Sequence, residues 1–462
     1  MGGLPAGARV AVVGADAAGM SAAASLRRLR PDLDVVAFEQ GPDTSYSMCG
    51  IPAYVGGLVA DAEDLVVRTP AELRASGIAV HTRTEVVALD SAARRVTVRD
   101  LDAGRERDEA YDALVYTAGA HPVTGDLPGV EHGHVVHTLE EGRRLRQVLD
   151  ARDDIERVAV VGAGYIGLEL AEALVRRGLP AVLIDRNPQV MPSLDPAMAA
   201  HVERALVDFG VEVRLGESLT GISAAGGRCA AVTTDRATHP ADAVVLALGA
   251  RPRVALAQAA GCAVGSSGAL VVDERMRTTV EGIWAAGDCV ESRHIVSGGP
   301  VNVQLGTHAS KQGKVAALDI AADGDGPARF PGVVGTAVTT VCDTEVARTG
   351  LSTAEAEQAG IAVAETTFGA TARADYLPAP GEVVVRMLAE VGSGRLVGAQ
   401  LVGTGNVGKR IDVAATWCQL GVRVQDAQLF DLAYAPPFGG VWDLLQVGAR
   451  KLTRTLGLSP VL

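Results

Sequence analysis

One pattern occurs twice in this chain: an apolar run, a glycine-rich turn, an alanine-rich stretch, and a second apolar run closed by an acid. The first copy runs from Arg9 through Glu39 and the second from Arg157 through Asp185. Within each copy the apolar period changes from strand to helix and back to strand, so each reads as a βαβ unit. Parallel strands need crossover helices, and those helices cover the sheet faces, which restricts the chain to an α/β architecture.

In the second copy Gly162, Gly164 and Gly167 stand at G-x-G-x-x-G spacing directly after a strand and at the start of a helix. The first glycine permits the tight turn, the second lets backbone approach a pyrophosphate, and the third allows close helix packing. The helix N-terminus then faces the anion. Asp185, closing the next strand, is placed to take both ribose hydroxyls of a nicotinamide dinucleotide. It opposes a 2′-phosphate, which favours NADH over NADPH, while the adjacent Arg186 leaves NADPH possible. The first copy keeps Gly14 and Gly19 but carries Asp16 at the middle position, and Glu39 is the expected ribose ligand. With Asp288 further on, in Ala285-Ala286-Gly287-Asp288, this copy is read as the flavin site; a turn or helix-capping carboxylate is the other reading of Asp288.

A length of 462 residues suggests about three domains at roughly 100 to 200 residues each. The expected division is a FAD-binding domain in two parts, 1–120 and 250–322, interrupted by an NAD(P)H-binding domain over 121–249. Crossings are expected near Gly119 to Pro122 and Leu248 to Pro252. A polar, glycine-rich linker over 322–332 then leads to a C-terminal α+β domain over 332–462.

A net charge of −13 opposes phosphate backbones and anionic lipid, so neither nucleic acid nor a membrane surface is expected as a partner. The start of the chain lacks the make-up of a signal peptide, and no apolar run is long enough to span a bilayer. Six scattered cysteines have neither C-x-x-C nor zinc-ligand spacing, so no metal site is expected and a reducing cytoplasm fits best.

The segment Ser45-Tyr46-Ser47-Met48-Cys49-Gly50 resembles the single-cysteine S-x-x-x-C-G motif of the flavoprotein pyridine nucleotide-disulfide oxidoreductases. The branch it resembles contains coenzyme A disulfide reductase, NADH oxidase and NADH peroxidase. The resemblance extends over nearly the whole chain, through Thr278 to Glu291, Gly335 to Leu351 and Asp431 to Asp443. It implies two Rossmann-like dinucleotide-binding domains and a C-terminal domain that forms a homodimer. Gly14, Gly19, Glu39, Ser45 and Asp288 would hold FAD. Gly162, Gly164, Gly167 and Asp185 would hold the nicotinamide cofactor, with Glu169 near nicotinamide and flavin. Cys49 would be the redox centre, its thiolate stabilised near a helix N-terminus or the flavin. Cys229, Cys262 and Cys418 read as inert buried thiols, Cys289 as a bystander near the flavin, and Cys342 has no assignable role.

No second cysteine lies near Cys49 and no histidine follows His308, so an internal dithiol with a C-terminal acid-base histidine is not expected. The resembling oxidases and peroxidases carry a histidine where this chain has Ala17. Tyr376 and Tyr434 instead match the coenzyme A disulfide reductase pattern, as donors to a departing thiolate; an interface aromatic and a turn residue are the other readings. Arg27 and Arg28 either hold coenzyme A phosphates or form a solvated helix face. The expected activity is NAD(P)H-dependent reduction, through FAD and Cys49, of a disulfide or persulfide, foremost coenzyme A disulfide. The alternatives are an NADH oxidase or peroxidase cycling through a Cys49 sulfenic acid, and a redox sensor or partner-protein reductase. Active sites shared between the two subunits are expected.

Overall fold

The two repeated units fold into separate parallel sheets. The computed structural model describes residues 4–152, 154–226, 228–322 and 326–459. Its first sheet has the strand order Ile283–Ala285, Ala113–Tyr116, Arg9–Val13, Asp34–Phe38, Ala79–His81, all parallel. The second has the order Glu212–Leu215, Ala181–Asp185, Val158–Val161, Ala243–Leu246, His134–Val135, again all parallel. Central strands such as Val158–Val161 are buried along their whole length, as a sheet covered on both faces requires.

The strand Ile283–Ala285 joins the first sheet after the second has been completed. Chain passage out and back is marked by a short antiparallel ribbon in which Ala120–Pro122 pairs with Ala250–Pro252. In the first unit the helix Ala17–Leu29 packs against Gly306–Ala321. Their approach is close: a Cβ added to Gly313 would collide with the carbonyl oxygen of Ala18.

The C-terminal part is a five-stranded antiparallel sheet in the order Ala337–Val341, Thr344–Gly350, Leu396–Gly403, Glu382–Glu390, Val363–Thr371. Helix Val407–Leu420 packs on the strands Thr344–Gly350 and Leu396–Gly403, and helix Leu444–Thr455 packs on Glu382–Glu390 and Val363–Thr371. Helix Pro196–Phe209 of the second unit also touches this sheet, so the C-terminal part is built against the nucleotide units. Of the linker expected over 322–332, residues 323–325 lie outside the described residues. Among the described residues no helix is long and apolar enough to cross a membrane.

Candidate active site

Both glycine turns form cradles that side chains would fill. Gly14 and Gly162 adopt φ of +94° and +113°, and a Cβ on either would collide with a strand-end carbonyl, that of Thr117 or Ala247. A Cβ on Gly19 or Gly167 would strike the carbonyl of the turn's own first glycine, Gly14 or Gly162. At Gly164, by contrast, a Cβ would meet nothing within 4 Å, so open space borders the turn where a pyrophosphate approaches.

The acids that close the second strands are held alike. Glu39 accepts from the amide nitrogens of Ala15 and Gly41, both at 2.8 Å. Asp185 accepts from the amides of Ala163 at 2.6 Å and Asn187 at 2.7 Å, and from the Asn187 side chain at 2.8 Å. Each carboxylate therefore ties its strand end to the amide just after the first glycine. Both cradles fit a dinucleotide by this chemistry: backbone donors at a helix N-terminus and a carboxylate fixed at the ribose end, with open room beside Gly164 in the second and the Asp16 side chain at the matching place in the first. Asp288 follows the strand Ile283–Ala285, and burial pushes its carboxyl up to about 6. Its carboxyl accepts no hydrogen bond among the described residues, so it is neither a helix cap nor a turn carboxylate.

Cys49 lies in a 3₁₀ turn, Met48–Gly50, that runs directly into the short helix Ile51–Val55. Ser45 sets the direction of this segment: its φ is +47°, and its amide donates to the Ala15 carbonyl at 3.0 Å. The Cys49 side chain is free and exposed on the single chain. In the chain without flavin its pKa is raised. Loss of water around the sulfur is the largest cause, followed by the carboxyls of Glu169, Asp288 and Asp16. Three segments distant in sequence thus converge on one thiol, and all three bring negative charge.

Glu169 is held from the C-terminal sheet. Its carboxylate accepts from the Thr339 hydroxyl at 2.6 Å, and burial raises its pKa. One turn later on the same helix, Glu172 accepts from the Cys342 amide at 2.8 Å and pairs with Arg176 at 2.7 Å. Cys342 and Asp343, at φ +50° and +65°, form the two-residue turn of the hairpin that docks there. The role left open for Cys342 is therefore a turn residue with a buried sulfur. Thr339 was missed in the sequence because nothing local marks a hydroxyl as the partner of an acid 170 positions away.

Cys289 is buried with its sulfur against the carbonyls of Ala286 and Tyr116, and its thiol is pushed up to about 12, as suits a bystander. Arg27 departs from the phosphate-binding expectation. Its guanidinium donates to the carbonyls of Pro31 and Leu33, both at 2.9 Å, closing the C-terminal end of the first helix. That end lies about 15 Å along the helix from the glycine turn, at 1.5 Å per residue. Arg28 is exposed at the same end, as a solvated helix face would be. Tyr376 and Tyr434 are 72% and 50% exposed, and within one chain neither phenol is among the groups that act on Cys49. Their two segments are joined by the Ala374 amide donating to the Pro436 carbonyl at 3.1 Å.

Comparison with known proteins agrees with this geometry. Residues 8–313 match the pyridine nucleotide-disulphide oxidoreductases, and residues 336–444 match the dimerisation domain of that family. A Pyrococcus horikoshii protein described as an NAD(P)H coenzyme A polysulfide/persulfide reductase is 36% identical over 449 residues, covering 96% of this chain and 98% of that one. An NADH oxidase of Methanocaldococcus jannaschii is 33% identical over 452 residues, covering 97% and 99%. Among solved structures, an NAD-dependent persulfide reductase from A. fulgidus superposes with a TM-score of 0.93 at 35% identity, covering 97% of this chain and 84% of that one.

Proposed function

The chain belongs to the pyridine nucleotide-disulphide oxidoreductases, and on that footing we propose that it carries electrons from NAD(P)H through FAD to Cys49 and on to a disulfide or persulfide of a small thiol, foremost coenzyme A. The observation that carries this reading is the position of Cys49. It is an exposed thiol at the head of a helix, with Asp16 and Asp288 from the first unit and Glu169 from the second acting on it together. Cys289, the cysteine beside Asp288, is buried against backbone and cannot serve as a second redox thiol without local opening.

Bound FAD would supply the two-electron relay between a nicotinamide and a sulfur. The chain's own residues do the rest. The Cys49 thiolate attacks one sulfur of the substrate, forming a mixed disulfide and releasing the other half as a thiolate. Two electrons then break the mixed disulfide, returning Cys49 to the thiolate and releasing the second half. For a disulfide RSSR the balance is NADH, one proton and RSSR giving NAD⁺ and two RSH. Tyr434 or Tyr376, from the C-terminal domain of the second subunit, protonates the departing thiolate. Support for that shared site is the exposure of both tyrosines beside Phe438, Val441 and Trp442 on the domain that matches the dimerisation pattern. Such an apolar patch suits a second copy of the chain. A reducing compartment, the cytoplasm, suits a protein whose described cysteines are all free.

The oxidase reading is favoured by similarity to NADH oxidases, that of M. jannaschii among them. NADH consumption by purified, flavin-loaded protein separates the two readings when it is measured with coenzyme A disulfide, polysulfide, oxygen and peroxide. Ala17 replaces the histidine of the peroxide-handling pattern, so the sulfur substrates are expected to be turned over fastest. Peroxide or oxygen turnover above that of every sulfur substrate would put the oxidase reading in its place.

A further inference from the structure

At the middle position of the first glycine turn, an acid stands where the dinucleotide pattern places glycine. Asp16 has φ −112° and ψ −153°, and its counterpart in the second turn, Gly164, has φ −84° and ψ −174°. With both backbones extended, the Cβ of Asp16 leaves the turn in the direction a Cβ would take at Gly164, towards the space left open there. That space is the approach side of a pyrophosphate. An aspartate at a helix N-cap ordinarily accepts from its own helix, but this one makes no side-chain cap bond. Its Oδ1 instead accepts from the Tyr46 amide at 3.3 Å, beside the bond from the Ser45 amide to the Ala15 carbonyl. The flavin turn is thereby stitched to the segment that ends in Cys49.

We infer that Asp16 makes flavin retention proton-linked: the pyrophosphate is accepted with Asp16 as a neutral carboxylic acid and opposed when Asp16 is a carboxylate. The inference rests on the flavin reading of the first unit. A neutral carboxyl can accept from the Tyr46 amide through one oxygen and donate its own proton to an anion; a carboxylate can only accept.

The charged groups around Asp16 all push the same way. Glu39 at the end of the neighbouring strand and Asp288 in the loop after Ile283–Ala285 are acids, and the segment bearing Tyr46 and Cys49 presents a phenol and a thiol. Burial, then Glu39, raise the Asp16 carboxyl to about 7, opposed by the amides of Tyr46 and Ala17. A bound pyrophosphate adds further negative charge and raises it again. Retention is therefore strongest below the unliganded value and weakens as pH rises through it. The loss is up to about tenfold per pH unit until the bound-state value is passed. The same proton removes one of the three negative neighbours of Cys49.

The test is made on the full-length holoenzyme, diluted and equilibrated at pH values from about 6 to about 8.5, with released FAD measured by fluorescence against FAD standards. The apparent Kd for FAD is expected to rise about tenfold or more over that range in the native protein. In Asp16→Asn it is expected to stay within about twofold, and Asp16→Ala provides a second variant should the first fold poorly. A flat native profile, or a native slope preserved in both variants, would assign the proton elsewhere and overturn the inference while leaving the flavin reading intact. Absence of any bound flavin at every pH would overturn both.

Discussion

The carboxylate of Asp195 lies 2.9 Å from the Nε of Arg386, joining the nucleotide-binding part of the chain to the C-terminal sheet. Both side chains are buried. Asp195 starts the helix Pro196–Phe209 but does not cap it with its side chain. Its carboxylate accepts instead from the Gln400 side chain at 2.8 Å and the Thr353 amide at 3.1 Å, and Arg386 is held further by Thr367, Thr353 and Glu365. Glu169 is held from the same sheet through Thr339, so the second unit is tied to the C-terminal sheet at two places.

Breaking the tie at Asp195 by Asp195→Ala leaves the buried Arg386 paired with Glu365 alone and strips the Gln400 side chain and the Thr353 amide of their acceptor, which is expected to cost about 1 to 3 kcal/mol of stability. Equilibrium unfolding in denaturant measures it. A loss below about 1 kcal/mol would mean that water or a neighbouring acid takes over the arginine.

Loss of water around the Cys49 sulfur, and then the acids Glu169, Asp288 and Asp16, raise this thiol, so the protein without its flavin is expected to titrate it above the ordinary value of about 8.5. The neutral thiol is favoured, and reactivity rises as pH passes that raised value. Alkylation rates of reduced, flavin-free protein against pH give the number directly. Asp16→Asn and Glu169→Gln should each shift it downward, and an apparent pKa below about 7 in the native protein would contradict the electrostatic account.

Arg186 and Arg236 are both exposed at the ribose end of the second cradle. The Arg236 guanidinium lies against Gly216, whose amide donates to the Asn187 carbonyl at 2.9 Å. NADH is expected to be preferred, because the Asp185 carboxylate opposes a 2′-phosphate, with residual NADPH use supported by the two arginines. Replacing either by alanine should lower kcat/KM for NADPH about tenfold and leave NADH within about twofold, whereas Asp185→Ser should narrow the preference. Native kcat/KM values that favour NADPH would reverse the assigned weights of aspartate and arginine.

Mixed dimers test the shared site. A Cys49→Ser subunit paired with a Tyr376→Phe/Tyr434→Phe subunit places both defects in one of two sites if each site draws on both chains. About half the native rate per dimer is then expected for independent sites. Purified mixed dimers no faster than a clearly impaired tyrosine-variant homodimer would locate cysteine and tyrosines in the same chain.

What was legible in the sequence is what a short stretch of chain decides. The glycines of both turns, Glu39 and Asp185 follow from strand-turn-helix spacing, and each stands in the structure where that spacing puts it. Asp16 was visible as an anomaly, but its bond to the Tyr46 amide 30 positions away was not. Long-range partners carry no local signal: Thr339 for Glu169, or Arg386 for Asp195 across 191 positions. The direction of the Cys49 shift in the flavin-free chain was not legible for the same reason: a helix head is local, whereas the burial that raises the thiol most and the three acids that add to it come from separate segments. Arg27 shows the limit of reading charge alone, since its guanidinium closes its own helix end.

The central claim, that electrons reach the sulfur substrate through Cys49, is tested most directly by Cys49→Ser assayed with NADH and coenzyme A disulfide under anaerobic conditions. Serine leaves both nucleotide cradles in place but cannot form or release a mixed disulfide. The variant is expected to bind FAD and to be reduced by NADH at close to the native rate. Its disulfide-dependent NADH oxidation is expected to fall by about a thousandfold or more. Disulfide turnover within a few-fold of the native enzyme would show that the electrons leave by another route and would contradict the account.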